Sequence, residues 1–112
     1  MSRLNFESRE RGPLAVLELR GELDISGTVA IEPELERLSD EPGVEIVALD
    51  LRELDFMDSS GLRLVVMADQ RLRAAGRRLA LVRGPESVQR VFEITRMAER
   101  LDFYDTPEQV AA

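Results

Sequence analysis

The apolar run at residues 44–51 restricts the fold of this chain more than any other segment. The run is nearly continuous and contains several β-branched residues, which is typical of a strand buried on both faces of a sheet. A turn at residues 58–61 and a helical repeat over about residues 60–75 follow, and Gly76 stands where a helix would stop. A buried strand followed by an amphipathic helix is a basic unit of α/β domains, so we expect this class.

Weaker patterns on both sides complete the series of elements. Further strands are predicted at residues 4–7, 14–20, 79–82 and 101–105, and further helices at residues 31–39, 86–94 and from Pro107 onward. Because Pro33 is tolerated only in a first helical turn, the first helix is expected to begin near Ile31 or Glu32, or to kink there. The order β-β-α-β-α-β-α-β-α predicts one α/β domain over residues 1–112, with a mixed central sheet and alternating helices.

The composition excludes most catalytic chemistry. The 112 residues include no cysteine and no histidine, and every one of the 15 basic residues is arginine. Disulfides, thiolate metal sites, a histidine base and a lysine Schiff base are therefore absent. The net charge of −7, without a basic block, also argues against direct binding of nucleic acid. We expect a protein that is not an enzyme and that carries no metal or cofactor.

The chain has no predicted membrane segment. Residues 1–7 lack the apolar run of a signal peptide. The longest purely apolar stretch, residues 64–68, is far too short to cross a bilayer. The sequence thus predicts a cytoplasmic protein that does not bind membranes.

The turn at residues 58–61, D-S-S-G, is the place where chemistry is expected. In the simplest interpretation, Asp58 or Ser59 only caps the following helix. Capping does not explain Gly61, which costs about 1 kcal/mol relative to alanine in a helix and suggests a close approach to the backbone. Phosphorylation is an alternative use, since a helix N-terminus tolerates a phosphate while a neighbouring aspartate repels it. Such a modification would change a surface for a partner and leave the fold intact.

Two motifs resemble those of a known family. Residues 56–62, F-M-D-S-S-G-L, resemble the signature of the anti-sigma factor antagonists, which are bacterial STAS domain proteins, and residues 47–51 resemble the strand that leads into it. Residues 21–24, G-E-L-D, match the other recurrent motif of the family. Residues 76–81 and 88–94 are also similar, so the likeness extends in order over nearly the whole chain.

The resemblance implies a partner switch. The unphosphorylated antagonist would bind an anti-sigma factor that has a histidine-kinase-like ATPase fold, and thereby release a sigma factor. Phosphorylation of Ser59, the first hydroxyl residue after the motif aspartate, would turn binding off, and a serine phosphatase would reset the switch. The residues expected to bind the partner are Asp24, Ile25, Met57, Asp58, Ser59, Ser60, Gly61 and Leu62.

Other interpretations stay open at this point. STAS-like domains also serve as non-phosphorylated scaffolds, as accessory subunits of transporters or as parts of stress-signalling assemblies. Asp50, Asp55 and Asp58 could suggest a metal or acid–base cluster, but we expect solvated or capping carboxylates there. Gly27 stands where the family often has threonine, and Pro33 falls later than the family's proline, so the identity of the cognate partner is left open.

Overall fold

Five strands form one mixed sheet in the computed structural model, which describes residues 4–111. The strands are β1 (Leu4–Arg11), β2 (Leu14–Leu23), β3 (Ile46–Met57), β4 (Arg78–Val82) and β5 (Phe103–Tyr104). The helices are α1 (Ile25–Asp40), α2 (Ser59–Ala74), α3 (Glu86–Ile94) and α4 (Pro107–Ala111), with a single 3-10 turn at Met97–Glu99. The order of strands in the sheet is β1-β2-β3-β4-β5, in which β1 is antiparallel to β2 and the other pairs are parallel. This architecture confirms the predicted α/β class and order of elements.

The two faces of the sheet carry cores of different size. On one face, α1, α2 and α3 cover the main core, to which β3 contributes the fully buried Val47, Leu49 and Leu51. On the other face, Val110 of α4 packs over a smaller cluster that includes Ala48. Burial on both faces explains why β3 has an almost unbroken apolar sequence.

Two strands are longer than predicted. The edge strand predicted at residues 4–7 continues to Arg11, where it pairs with Leu14 across a tight turn. The strand predicted at residues 44–51 extends instead to Met57, because β2 provides partners along its whole length. Arg52, Glu53 and Asp55, at exposed positions of this extension, interrupt the apolar run and conceal the strand in the sequence.

Of the two alternatives for the first helix, a start near Ile31 or Glu32 was wrong. Helix α1 begins at Ile25, and Pro33 lies inside it. Proline in a helix interior removes one hydrogen bond and costs about 3 kcal/mol. The carbonyl left without its donor belongs to Val29, which is exposed to water. Burial of Ile31 and Leu35 on either side of the proline keeps the helix continuous.

Candidate functional site

The two predicted motifs meet at one edge of the sheet. Strands β2 and β3 end side by side, with Leu23 paired to Met57. An aspartate follows each strand directly and caps the next helix, Asp24 for α1 and Asp58 for α2. The parallel pairing of β2 and β3 thus brings the G-E-L-D and D-S-S-G segments together.

Asp58 caps α2 through its side chain. Its Oδ1 atom accepts hydrogen bonds from the backbone N–H groups of Ser60, at 2.9 Å, and of Gly61, at 3.3 Å. These bonds satisfy two donors that the first helical turn otherwise leaves free. The capping interpretation is therefore correct for Asp58, whereas Ser59 does not cap.

Ser59 is the first residue of α2 and is exposed. Within residues 4–111, its hydroxyl group makes no hydrogen bond. The cap leaves the Ser59 side chain pointing away from the buried face, on which Val65 and Leu72 lie. Both the hydroxyl group and the positive end of the helix dipole are accessible there.

Gly61 is required by a close approach within the chain itself. A Cβ atom at this position would lie 2.6 Å from Cγ of Met57 and 2.7 Å from the carbonyl oxygen of Leu23. The same Leu23 carbonyl accepts a hydrogen bond from the Asp58 N–H at 3.5 Å. The close approach expected from the sequence is therefore made by the ends of β2 and β3.

Gly27 has a similar explanation at the start of α1. A Cβ atom there would lie 2.5 Å from the carbonyl oxygen of Glu22. Its N–H group donates to Oδ1 of Asp24 at 2.9 Å. The first turn of α1 thus lies too close to the end of β2 for a threonine, which explains the departure from the family pattern.

Apolar side chains are exposed around this edge. Ile25 is 68% exposed, Val29 67% and Met67 54%. Ile25 was expected in the partner surface, whereas Val29 and Met67 were missed. The expectation that α1 begins near Ile31 or Glu32 concealed Val29, whereas Met67, expected as an apolar residue to fill the core, is exposed instead. Large apolar residues exposed together are typical of an interaction surface.

A groove of about 670 Å³ separates α1 from α2 beside the capped helix ends. Its α1 wall includes Ile25, Glu32 and Glu36, and its α2 wall includes Ser60, Arg63, Leu64, Met67 and Arg71. The groove therefore has an apolar lining with charged groups of both signs at its rim.

The other residues predicted to bind the partner differ in accessibility. Met57 is only 4% exposed and Gly61 is buried, so both support the surface from beneath in this conformation. Leu62 is half-buried and packs against the main core. Asp24, Asp58 and Ser60 are half-buried at the helix ends.

The three aspartates considered as a cluster have separate environments. Asp58 is the cap and Asp55 is exposed. Asp50 is only 1% exposed, so the expectation of a solvated or capping carboxylate was wrong for this residue. Its two oxygens accept from Nε of Arg52 at 3.0 Å and from Nη2 at 2.8 Å. The hydrogen bonds that the Arg52 guanidinium donates to Asp50 raise the pKa of Arg52.

The described part of the chain has neither a candidate metal site nor a candidate membrane-spanning helix. Residues 4–111 contain no group of three or more acidic side chains placed to hold a metal ion. None of the helices in that range is long and apolar enough to span a bilayer.

Comparison with known proteins identifies relatives of this chain. The STAS domain family model matches residues 5–110. The chain is 32% identical to the putative anti-sigma factor antagonist BtrV of Bordetella bronchiseptica, over 84% of this chain and 80% of that protein. It is also 34% identical to osmosensory protein A of Mycobacterium tuberculosis, over 68% of this chain but only 47% of that protein.

Solved structures share the fold. The anti-sigma factor antagonist SpoIIAA in its unphosphorylated form is 25% identical, with a TM-score of 0.81 over 96% of this chain and 93% of that one. The phosphorylated form of SpoIIAA from Bacillus is 24% identical, with a TM-score of 0.74 and 96% of each chain covered. With the match of residues 5–110, these likenesses lead to one conclusion: the chain belongs to the STAS domain family and is a relative of the anti-sigma factor antagonists.

Proposed function

We propose that this chain is an anti-sigma factor antagonist that works by partner switching in the cytoplasm. In its unphosphorylated form, it binds an anti-sigma factor with a histidine-kinase-like ATPase fold, which then releases its sigma factor. The anti-sigma factor phosphorylates Ser59, binding is lost, and a serine phosphatase restores the first state. Residues 1–112 act in this scheme as one STAS domain, and neither nucleic acid nor a membrane is a direct partner.

One observation carries the proposal. The Ser59 hydroxyl is exposed at the first position of α2 and makes no hydrogen bond within the described residues, while its neighbour Asp58 holds the helix end. A kinase can therefore reach the hydroxyl without unfolding the helix. The relative BtrV bears the name of a putative anti-sigma factor antagonist, and SpoIIAA has been solved both with and without phosphate.

The physical effect of the phosphate falls on the surface. A phosphoserine adds about −1.5 to −2 charges at neutral pH. The helix dipole tolerates this charge at the N-terminus of α2, so the fold is expected to survive. The phosphate would stand at the start of α2, at the edge where the exposed side chain of Ile25 lies, and the carboxylates of Asp24 and Asp58, which cap the two helices there, would add to its repulsion. A partner that covers this surface would have to meet or bury this added negative charge.

The test uses the anti-sigma factor encoded nearest to the gene, with ATP, and intact-mass measurement of the antagonist. We expect the wild type to gain one phosphate and Ser59→Ala to gain none, while Ser60→Ala still gains it. Ser59→Ala should bind the anti-sigma factor and stay bound in the presence of ATP. If binding occurs but no phosphate appears, the chain acts as a non-phosphorylated scaffold.

A pair of charge substitutions distinguishes the effect of a negative charge at position 59 from the effect of a change in net charge on the affinity for the anti-sigma factor. Ser59→Asp should weaken binding to the anti-sigma factor by about tenfold or more. Ser87→Asp makes the same change at an exposed position in the first turn of α3 and should leave the affinity unchanged. Equal affinity of Ser59→Asp and the wild type would contradict the proposed mechanism.

A further inference from the structure

Arg63 differs from the other arginines of α2. Arg71 and Arg73 each form an ion pair at 2.9 Å, with Asp40 and Asp69 respectively. Arg63 is exposed, lines the groove beside Ser60, and makes no ion pair or hydrogen bond with any residue in the range 4–111. The guanidinium is therefore available to a ligand that is absent from the unmodified chain.

The position of Arg63 relative to Ser59 points to that ligand. The two residues are four apart on α2, so they lie one above the other on the same side of the helix, with Cβ atoms about 6 Å apart. Side chains on a helix lean toward its N-terminus, which directs the longer Arg63 side chain back toward Ser59. Guanidinium groups bind phosphate through two parallel hydrogen bonds, and this geometry suits arginine better than any other side chain.

We propose that Arg63 binds the phosphate on Ser59, so that the phosphate forms an ion pair within the chain itself. The inference rests on the proposed phosphorylation of Ser59. It adds two consequences. The groove between α1 and α2 loses its free guanidinium when Ser59 gains the phosphate, and the phosphate is held against the surface of α2.

The charges around the site favour this pairing. On the phosphate's own helix, the carboxylate of Asp58 is already engaged by two backbone N–H groups and repels further negative charge. Across the groove, α1 contributes the acidic residues Glu32 and Glu36, and Asp24 caps its near end. Among the described residues that line the groove, Arg63 is the one cation that is not ion-paired. Of the described residues that line the groove, Arg63 is therefore the one with a free positive charge to offer the phosphate.

The experiment measures the second pKa of the phosphate by phosphorus NMR. Phosphoserine is inserted at position 59 during translation, so no kinase is needed, in the wild type, Arg63→Gln and Arg100→Gln. Arg100 is a matched control: it is exposed, without an ion pair in the described chain, and it precedes β5, an edge strand that pairs with β4 and not with the strands whose ends hold Ser59. Glutamine is a good helix former, and circular dichroism verifies that each variant is folded.

The expected result has a defined sign. Arg63 favours the doubly charged phosphate, so the second pKa should be about 0.3 pH units or more higher in Arg63→Gln than in the wild type. Arg100→Gln should match the wild type, and the difference should shrink in high salt. In the wild type, the Nε–H signal of Arg63 should shift on phosphorylation.

Failure of this inference is distinct from failure of the proposed function. An identical pKa in all three proteins, with an unmoved Arg63 signal, would overturn the role of Arg63. Loss of anti-sigma factor binding by the same phosphoserine protein would still support the switch. If the phosphoserine protein binds as tightly as the unmodified one, the switch fails, while the pKa comparison still decides whether Arg63 binds the phosphate.

Discussion

Replacing Gly61 with alanine tests whether the contact between α2 and the strand ends is as close as the structure indicates. In an exposed helix, this change stabilises a protein by about 1 kcal/mol, because alanine has the higher helix propensity. At Gly61 the new methyl group would lie 2.7 Å from the Leu23 carbonyl oxygen and 2.6 Å from Cγ of Met57. Both distances are well below van der Waals contact, so the sign of the effect should reverse.

The magnitude follows from two opposing terms. Overpacking a close-packed site costs about 1–3 kcal/mol. The Met57 side chain can adjust, but the Leu23 carbonyl is backbone, lies in a paired strand and accepts a hydrogen bond from Asp58. Relief therefore requires α2 to move away from β2. Because backbone has to move, we expect a cost in the upper half of that range, about 2–3 kcal/mol. After subtraction of about 1 kcal/mol for helix propensity, Gly61→Ala should lower the free energy of unfolding by about 1–2 kcal/mol.

Urea unfolding followed by far-ultraviolet circular dichroism measures this difference. The midpoint should fall, with an unchanged slope against urea concentration. Ala30→Gly, at an exposed position of α1, makes the reverse exchange without a close neighbour and calibrates helix propensity at about 1 kcal/mol of destabilisation. If Gly61→Ala is instead more stable than the wild type by a similar amount, the close approach at Gly61 is not a constraint and the reasoning is refuted.

Two further predictions concern carboxylates. Asp58→Ala removes the acceptor for the N–H groups of Ser60 and Gly61 and should lower the free energy of unfolding in urea by about 0.5–2 kcal/mol. Asp58→Asn should retain most of this stability, because asparagine also caps helices. Equal losses of stability in the two variants would show that the charge of Asp58 matters more than its capping hydrogen bonds. The hydrogen bond from Arg37, opposed by burial and assisted by a hydrogen bond from Ser8, holds the pKa of Glu34 below its ordinary value of 4.5. The ionised Glu34 therefore contributes its full stabilisation above pH 4.5, and this contribution is lost as the pH falls through the lowered pKa. The stability advantage of the wild type over Arg37→Gln should accordingly shrink below pH 4.5 in urea titrations, and an advantage that is independent of pH would contradict this assignment.

The sequence predicted the class and order of elements because hydrophobic periodicity reports burial directly. The apolar run around Leu49 and the helical repeat after Ser59 are long enough to be unambiguous. The start of α1 could not be predicted in the same way, since Pro33 is a strong local signal against a helix. Tertiary burial of Ile31 and Leu35 overrides that local signal, and burial of this kind appears only in the folded chain.

The sequence pointed to the candidate site but not to the contacts that surround it. The motif identified Asp58 and Ser59, and Asp58 is the cap that one interpretation expected. The reason for Gly61 depends on the carbonyl of Leu23, which is distant in sequence and reaches the glycine only through strand pairing. Burial of Asp50 was likewise hidden, because its partner Arg52 lies two residues away on the same strand and leaves no separate signal.

The coupling between the two motifs follows from the register of β2 and β3. Two irregularities, between Glu18 and Arg20 and between Gly21 and Glu22, accommodate two extra residues of β3 before the strands end level at Leu23 and Met57. Without this shift, Leu23 would lie opposite Asp55, and its carbonyl could not support both the Asp58 N–H and the close approach of Gly61. The position of the Ser59 hydroxyl is therefore determined in part by residues of the G-E-L-D motif that do not touch it. A substitution in β2 that alters the register would move the hydroxyl away from the position that the proposed kinase has to reach, even if every residue of D-S-S-G is kept.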